Sequence, residues 1–247
     1  MGLSGKIALV TGGARRVGKA IVLELARSGC DVAIHCHESL DDADQTACQV
    51  VELDRQAVVI PADLNDPEKW APVIDRVIAE YGQLDILVNN ASLFLHDDSD
   101  TFDGFDPACW DRMLRTNLIA PMALSHHAAP HLRAGGSGNI INLCDAAVDR
   151  PWRNHLAYSS SKAGLACLTK ALACSLAPEI RVNGVAPGIA VFPETYPQDL
   201  RDRLVRRVPL GRPGTPEGVA LLVAFLIESG NYVTGQVISI DGGRNLI

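Results

Sequence analysis

Two side chains that can share a proton stand four residues apart in the segment Y-S-S-S-K, namely Tyr158 and Lys162. Residues i and i+4 of a helix lie on the same face, so a helix here would place the lysine ammonium beside the tyrosine phenol. A nearby cation stabilises a phenolate and lowers the phenol pKa from about 10. The spacing therefore predicts a proton-transfer centre, although a tyrosine–lysine pair is also a common surface feature of helices.

A second candidate site lies near the N-terminus, where Thr11 opens the sequence T-G-G-A-R-R-V-G between a predicted strand and a predicted helix. Glycine lets the backbone turn tightly and approach a ligand closely, and a helix N-terminus offers free N–H groups to phosphate. The turn is interpreted as a pyrophosphate-binding site that includes Gly12, Arg16 and Val17, with a purely structural turn as the alternative. Arg16 either reaches the phosphates or is a solvated side chain at the helix start.

The end of the second predicted strand, H-C-H-E-S at residues 35–39, indicates the class of cofactor. Dinucleotide-binding enzymes that prefer NAD usually carry an acidic residue at this strand tip, where it binds the ribose hydroxyls. Here the tip is Cys36, and both His37 and Ser39 can hydrogen-bond a 2′-phosphate, while Glu38 opposes one. NADP is therefore favoured over NAD.

Strand-like and helix-like segments alternate along the chain, and these segments must position the candidate groups. The predicted strands cover residues 6–10, 31–35, 57–61, 84–88, 138–143, 181–185 and 236–240. The predicted helices cover residues 17–28, 40–54, 67–81, 107–132, 157–176 and 216–227. Such alternation of short apolar strands with helices is typical of a parallel sheet that is buried on both faces. We expect one α/β, NAD(P)-binding domain over residues 1–247, with a single doubly wound, Rossmann-type parallel sheet.

The composition and charge argue against several classes of function. The chain carries 22 basic and 29 acidic residues, and its net charge of −7 argues against nucleic-acid binding. The apolar runs are too short to span a membrane, and no secretion signal is recognisable at the N-terminus. The seven cysteines form no C-x-x-C pair, so we expect reduced thiols and a cytoplasmic protein. His127 and His131 have a spacing that metals can use, but no acidic residue completes a site, so no metal is expected.

Together these motifs resemble the short-chain dehydrogenase/reductase family over the whole chain. The matching pieces are T-G-G-A-R-R-V-G, N-N-A-S at residues 89–92, Asn117, Y-S-S-S-K, Pro187-Gly188 and the C-terminal S-I-D-G-G. The resemblance implies that Tyr158 donates a proton and that Lys162 lowers the pKa of Tyr158 and holds the nicotinamide ribose. It also implies that Asn117 supports a water molecule through a helix irregularity. The further cofactor-binding residues that it implies are Asp63, Leu64, Asn90, Ala91, Ser92, Pro187 and Gly188.

One position departs from the family pattern, because Asp145 stands 13 residues before Tyr158, where the family has a serine. A carboxylate donates no hydrogen bond unless it is protonated, but it can anchor an amino-bearing heterocycle or pass a proton. The aspartate resembles the pteridine reductase subgroup, as do Arg16 in place of a family glycine, the H-x-H-x-S sequence and N-N-A-S. In that subgroup an aromatic residue stacks on the pterin, and Phe94 occupies this position. The alternative for Phe94 is a core or lid role.

The resemblance implies hydride transfer from NADPH to a C=N bond of a dihydropterin or dihydrofolate. Ser92, Phe94 and Asp145 would bind this substrate, and Tyr158 would supply the proton. Two alternatives remain open: a carbonyl reductase or alcohol dehydrogenase, and a nucleotide-binding protein without catalysis. The resemblance also implies a homotetramer, and it places a substrate lid in the polar, proline-interrupted segment 195–207.

Overall fold

Seven parallel strands form one sheet in the computed structural model, which describes residues 2–95, 98–148 and 150–246. The strands are β1 Ile7–Val10, β2 Asp31–Cys36, β3 Ala57–Pro61, β4 Ile86–Asn89, β5 Gly138–Leu143, β6 Ile180–Pro187 and β7 Val237–Ile240. Their order across the sheet is β3-β2-β1-β4-β5-β6-β7, and each neighbouring pair is parallel. The predicted doubly wound parallel sheet is confirmed.

Helices connect these strands and cover both faces of the sheet. They are α1 Arg16–Arg27, α2 Leu40–Val51, α3 Trp70–Tyr81, α4 Pro107–Leu114, α5 Ala120–Ala134, α6 Leu156–Leu176, α7 Gln198–Val205 and α8 Pro216–Glu228. Side-chain caps fix two of the helix starts, because Asp106 accepts from the N–H of Ala108 and Thr215 accepts from the N–H of Gly218. Gly82, with a φ of +73°, ends α3 in the left-handed conformation.

The first strand shows why both faces of the sheet are apolar. Ala8 and Val10 pack into a core with α1 and α8, whereas Ile7 and Leu9 pack into the opposite core with α3 and α5. Successive side chains of a strand point to opposite faces, so a strand between two layers of helices must be apolar at every position. The four residues of β1 are all buried, as this arrangement requires.

The strand order reverses between β1 and β4, and this reversal determines where a ligand can bind. In doubly wound sheets a crevice opens at such a point, outside the carboxyl ends of the strands. The sequence T-G-G-A-R-R-V-G follows β1 and the pair Asn90-Ala91 follows β4, so both lie at this crevice. Asp145 follows β5, and Gly188 follows β6, along the same edge of the sheet.

Several segments differ from the sequence-based expectation. Helix α2 ends at Val51 instead of residue 54, and α3 begins at Trp70 instead of residue 67, after a 3₁₀ turn over Pro67–Lys69. Strand β4 begins at Ile86 instead of residue 84, since the buried carboxylate of Asp85 accepts hydrogen bonds from the Ile7 N–H and the Lys6 ammonium. The predicted helix 107–132 contains a π-helical segment, Arg115–Ile119, between α4 and α5. The expected lid segment includes the short helix α7. Among the residues that the structure describes, no helix is long and apolar enough to cross a membrane.

Candidate active site

The glycine-rich turn after β1 is held rigidly against the segment after β4. Gly12 has a φ of +62°, and a Cβ there would lie 3.0 Å from the Cα of Ala91. A Cβ on Gly18 would collide with the Gly12 carbonyl oxygen at 2.0 Å. The Asn90 amide donates hydrogen bonds to the carbonyls of Thr11 (2.9 Å) and Gly12 (3.0 Å). Glycine is therefore required for this close approach, which leaves the start of α1 open to the crevice.

Arg16 adopts a backbone conformation that ordinary residues avoid. Its φ is +51°, in the left-handed region, at the position where the T-G-x-x-x-G-x-G pattern has a glycine. This conformation costs a residue with a Cβ roughly 1–2 kcal/mol. The Arg16 side chain is exposed and lines the crevice beside Gly12 and Val17. The structure therefore brings together the three residues that were predicted for pyrophosphate binding.

His35 supports the same turn from below. Its Nδ1 accepts a hydrogen bond from the Gly12 N–H (3.2 Å), and its Nε2 donates to the Ala62 carbonyl (3.0 Å). A ring nitrogen that accepts must be unprotonated, so these contacts require a neutral imidazole with its proton on Nε2. Burial lowers the pKa of His35 from 6.5 to about 4, which is consistent with a neutral ring.

A side cavity of about 390 Å³ opens beyond this turn. It is lined by His37 and Ser39 from the end of β2 and by Asp63 and Leu64 from the end of β3. His37 Nε2 lies 3.9 Å from a carboxylate oxygen of Asp63. Glu38 is exposed and lines neither this cavity nor the main cleft, so its charge faces solvent. The four predicted residues thus share one cavity.

The main cleft extends from the glycine-rich turn to the carboxyl ends of β5 and β6 and has a volume of about 1160 Å³. It shares Gly12, Ala91 and Ser92 with the side cavity, so the two form one continuous groove. This volume exceeds the roughly 300–1,000 Å³ of a typical small-molecule pocket. The predicted residues that line its far end are Phe94, Asp145, Tyr158, Lys162, Pro187 and Gly188.

The phenol of Tyr158 is hydrogen-bonded to a carboxylate. Its Oη donates to Oδ2 of Asp145 at 2.9 Å. Lys162 Nζ lies 5.9 Å from the centre of the Tyr158 ring and donates instead to the Leu143 carbonyl at 2.8 Å. The two side chains share a helix face, as their spacing predicted, but the cation does not reach the phenol oxygen in this arrangement.

This geometry reverses the expected direction of the Tyr158 pKa shift. Burial raises the Tyr158 pKa well above 10, and the charge of Asp145 together with its hydrogen bond raises it further. Burial also lowers the pKa of Lys162, while Cys144 and Asp145 oppose that effect. The expectation of a lowered phenol pKa is therefore wrong for this arrangement, because burial and Asp145 raise it and the Lys162 ammonium is directed to Leu143.

Asn117 lies in the π-helical segment and is fully buried, which confirms the expected helix irregularity. Its Nδ2 donates to the Leu93 carbonyl (2.9 Å) and to the Ser161 hydroxyl (3.1 Å). Its Oδ1 accepts from the Leu93 N–H (2.7 Å) and from the Ser92 hydroxyl (3.3 Å). Asn117 therefore ties α6 to the segment that leads from Ser92 to Phe94.

Aromatic side chains pack around the ring of Tyr158. The Phe94 ring meets the Tyr158 ring edge to face, with centroids 4.7 Å apart, and it also contacts Trp152 and His155. The Trp152 ring stacks on Tyr158 at 5.9 Å with an interplanar angle of 22°. Sequence reasoning missed Trp152 and His155, although both stand in the W-R-N-H-L-A-Y run that leads into Tyr158.

Asp100 is a third residue that sequence reasoning missed. Its carboxylate is fully buried and accepts hydrogen bonds from the N–H groups of Ala157 (2.5 Å) and Tyr158 (3.4 Å). His155 Nδ1 lies 3.8 Å from the same carboxylate. The acid sits at the N-terminus of α6, where a negative charge is favourable. Its 57-residue separation from Ala157 leaves no local signal of this contact.

Comparison with known proteins identifies the family. A family model described as Enoyl-(Acyl carrier protein) reductase matches residues 12–245. A solved short-chain dehydrogenase/reductase of Serratia marcescens is 34% identical, with a TM-score of 0.91 over 99% of this chain and 100% of that one. This chain belongs to the short-chain dehydrogenase/reductase family. It is accordingly an oxidoreductase of this family, and its glycine-rich turn and tyrosine–lysine pair line the main cleft, with Asn117 buried beside them.

Two further members of the family differ in the activities for which they are named. FolM alternative dihydrofolate reductase 1 from Brucella canis, solved in complex with NADP, is 35% identical, with a TM-score of 0.92 over 99% of this chain and 96% of that one. The cis-4-hydroxycyclohexanecarboxylate dehydrogenase of Sinomonas cyclohexanicum is 35% identical over 98% of this chain and 97% of its own length. Membership of the short-chain dehydrogenase/reductase family therefore does not by itself select a substrate.

Proposed function

We propose that the protein is an NADPH-dependent reductase that transfers a hydride to a C=N bond of a dihydropterin or dihydrofolate-like substrate. The observation that carries this proposal is the 2.9 Å hydrogen bond from the Tyr158 phenol to Asp145, in the place of the family's serine. A carboxylate beside the proton donor suits a heterocycle with amino and ring N–H groups, because it accepts hydrogen bonds from them.

The continuous groove fits a dinucleotide. The backbone N–H of Val17 and the Arg16 cation suit the pyrophosphate, and Gly12, which has no side chain, allows its close approach. His37, Ser39, Asp63 and Leu64 would surround the adenosine and its 2′-phosphate, and Asn90, Ala91 and Ser92 would run along its middle. Tyr158, Lys162, Pro187 and Gly188 would hold the nicotinamide end. When bound there, NADPH supplies the hydride. The NADP complex of the Brucella canis protein supports this choice of cofactor.

The Asp145–Tyr158 pair can perform the proton transfer. Because the pKa of Tyr158 is raised, its phenol carries a proton at neutral pH and can donate it from Oη to the reduced nitrogen. Asp145 and Ser92 would contact the polar edge of the heterocycle, and Phe94 would stack on its face. The buried ammonium of Lys162, fixed on Leu143, would then offset the negative charge that remains on the phenol oxygen. Asn117 accepts a hydrogen bond from the Ser92 hydroxyl and so keeps Ser92 in position for this contact.

NADPH oxidation tests the proposal directly. The purified protein is assayed with dihydrobiopterin, with dihydrofolate and with a panel of neutral ketones. We expect turnover of at least one of the two pterin substrates. Turnover of ketones alone would contradict the proposed substrate class, and binding of NADPH without any turnover would indicate a silent nucleotide-binding protein. In the last case Tyr158→Phe would change nothing, whereas we expect it to abolish reduction.

A carbonyl reductase or alcohol dehydrogenase is the second candidate, and the Sinomonas cyclohexanicum relative supports it. Replacement of the aspartate separates the two functions. Asp145→Ser restores the hydroxyl that the rest of the family uses, so it should lower pterin reduction and raise carbonyl reduction. The homotetramer, the cytoplasmic location and the single NAD(P)-binding domain over residues 1–247 stay predictions.

A further inference from the structure

The main cleft is strongly basic, although the chain as a whole is acidic, with a net charge of −7. Two arginines of the cleft belong to the glycine-rich turn, and four more line it from other segments. These four are Arg150, Arg153, Arg207 and Arg244, and together they are called the arginine cluster. Asp145 is the single acidic residue among the described residues that line the cleft. A cleft of one charge sign raises the local concentration of oppositely charged ligands.

The Trp152 ring links Arg244 to the ring of Tyr158. Its guanidinium lies 5.8 Å from the centre of the Trp152 ring, and the Trp152 ring stacks on Tyr158 at 5.9 Å. A single aromatic ring therefore separates this half-buried cation from the proton donor. A ligand whose ring lies against Tyr158 would place any extended tail close to Arg244.

Arg207 and Arg150 lie close enough to Arg244 for their charges to act on its guanidinium. Burial lowers the pKa of Arg244, and the nearby Arg207 and Arg150 lower it further, against the opposing effects of Asp145 and Asp241. In the part of the chain that the structure describes, no carboxylate lies within ion-pair distance of any of the four guanidinium groups. A carboxylate brought in by a ligand would relieve this repulsion and could accept two parallel N–H bonds from one arginine.

We propose that the arginine cluster is a subsite for a carboxylate on the substrate, with Arg244 and Arg207 as its main contacts. The identity of the reducible ring rests on the proposed function, whereas the preference for an acidic tail rests on the arginines alone. Dihydrofolate ends in a glutamate with two carboxylates, while dihydrobiopterin carries the same ring system with a neutral side chain. The subsite therefore selects folate-like substrates over unconjugated dihydropterins.

The test measures KM and kcat for matched substrate pairs. One pair is dihydrofolate and dihydrobiopterin, and the other is a keto acid and its methyl ester. The variants are Arg244→Gln and Arg207→Gln, and Arg203→Gln is the control because Arg203 is exposed on α7 and does not line the cleft. Arg207 is also exposed, so its replacement should leave folding intact even if Arg244→Gln does not.

We expect each variant to raise the KM of the acidic member of a pair by about tenfold, the size of one lost hydrogen bond to a charged group. The KM of the neutral member and the KM of NADPH should stay within twofold or so of the wild-type values. Added salt should raise the wild-type KM of the acidic member alone. An equal effect on both members of a pair, or none on either, would overturn the subsite.

Failure of the proposed function has a different signature. If the wild-type protein reduces ketones but neither pterin, the pterin proposal fails, and the keto acid and its ester still decide whether the arginine cluster binds a carboxylate. If both pterins are reduced with KM values that the arginine variants do not change, the function stands and the subsite fails.

Discussion

The Tyr158 phenol donates a 2.9 Å hydrogen bond to the Asp145 carboxylate, while the Lys162 ammonium donates to the Leu143 carbonyl. This relationship makes the phenol a stable proton carrier, because both burial and the carboxylate raise the pKa of Tyr158. A reductase needs the protonated form at the start of each cycle, so the arrangement suits reduction at neutral pH.

The first prediction concerns the pH dependence of reduction. Asp145→Asn removes a negative charge that raises the Tyr158 pKa, so the pKa should fall and the alkaline decline of kcat should begin at a lower pH than in the wild-type protein. The measurement is kcat for the preferred substrate from about pH 7 to about pH 11, a range that spans the usual phenol pKa of about 10 and extends above it. Tyr158→Phe is the control and should lower kcat by about 10²–10⁴-fold at every pH. An unchanged alkaline limb in Asp145→Asn would show that the carboxylate does not act on the phenol.

The second prediction concerns Asp100 as a positioning residue for the helix that carries Tyr158. Asp100→Ala leaves two buried N–H groups at the start of α6 without their acceptor, so the free energy of unfolding should fall by about 2 kcal/mol. The displaced helix start should also lower kcat with little change in the KM of NADPH. Asp100→Asn keeps one carbonyl acceptor and should recover much of both losses. Equal kcat values in Asp100→Ala and the wild-type protein would limit Asp100 to stability.

The third prediction separates the two interpretations of Arg16. Arg16→Gly relieves the strain of a positive φ but adds chain flexibility, so the free energy of unfolding should change by less than about 1 kcal/mol. If the guanidinium contacts the cofactor phosphates, the KM of NADPH should rise by about tenfold. Arg16→Asn is the matched control, because asparagine tolerates a positive φ and carries no charge. An unchanged KM in both variants would leave Arg16 a solvated side chain.

The fourth prediction links His35 to stability at acidic pH. The pKa of His35 is about 4 in the folded chain, against 6.5 for an unperturbed histidine. Between these pH values the unfolded chain binds a proton at His35 that the folded chain does not. The free energy of unfolding therefore has its full value above pH 6.5, as far as His35 is concerned, and declines as the pH falls toward 4. At pH 5 the free energy of unfolding should be about 2 kcal/mol lower than at neutral pH because of His35.

Urea unfolding at neutral pH and at pH 5 measures this effect. His35→Asn should lose the His35 part of the pH dependence, at the cost of lower stability at neutral pH, where the Gly12 contact is weakened. His126→Asn serves as the control, since His126 is exposed on α5 and is not among the groups that act on His35, so this variant should keep the His35 part of the pH dependence. Identical pH dependence in His35→Asn and the wild-type protein would contradict the assignment.

Local sequence patterns are sufficient to predict the order of strands and helices and the positions of most candidate groups. Apolar runs bounded by glycine and proline locate the seven strands to within two residues or so at most ends, because a strand buried on both faces leaves little room for polar residues. Local motifs also located the glycine-rich turn, Asn117 in its π-helical segment and the tyrosine–lysine pair. These features depend on neighbours within a few residues, so sequence spacing records them.

The electrostatics of the site, by contrast, depend on how distant segments of the chain pack together. The spacing of Tyr158 and Lys162 predicted a phenol of lowered pKa, but packing directs the ammonium to Leu143 and brings Asp145 to the phenol. Asp100 reaches the start of α6 across 57 residues of sequence, and Arg244 reaches Trp152 from the C-terminal segment. The pKa of a buried group depends on which charges lie within a few ångströms, and those distances arise only when segments far apart in sequence pack together.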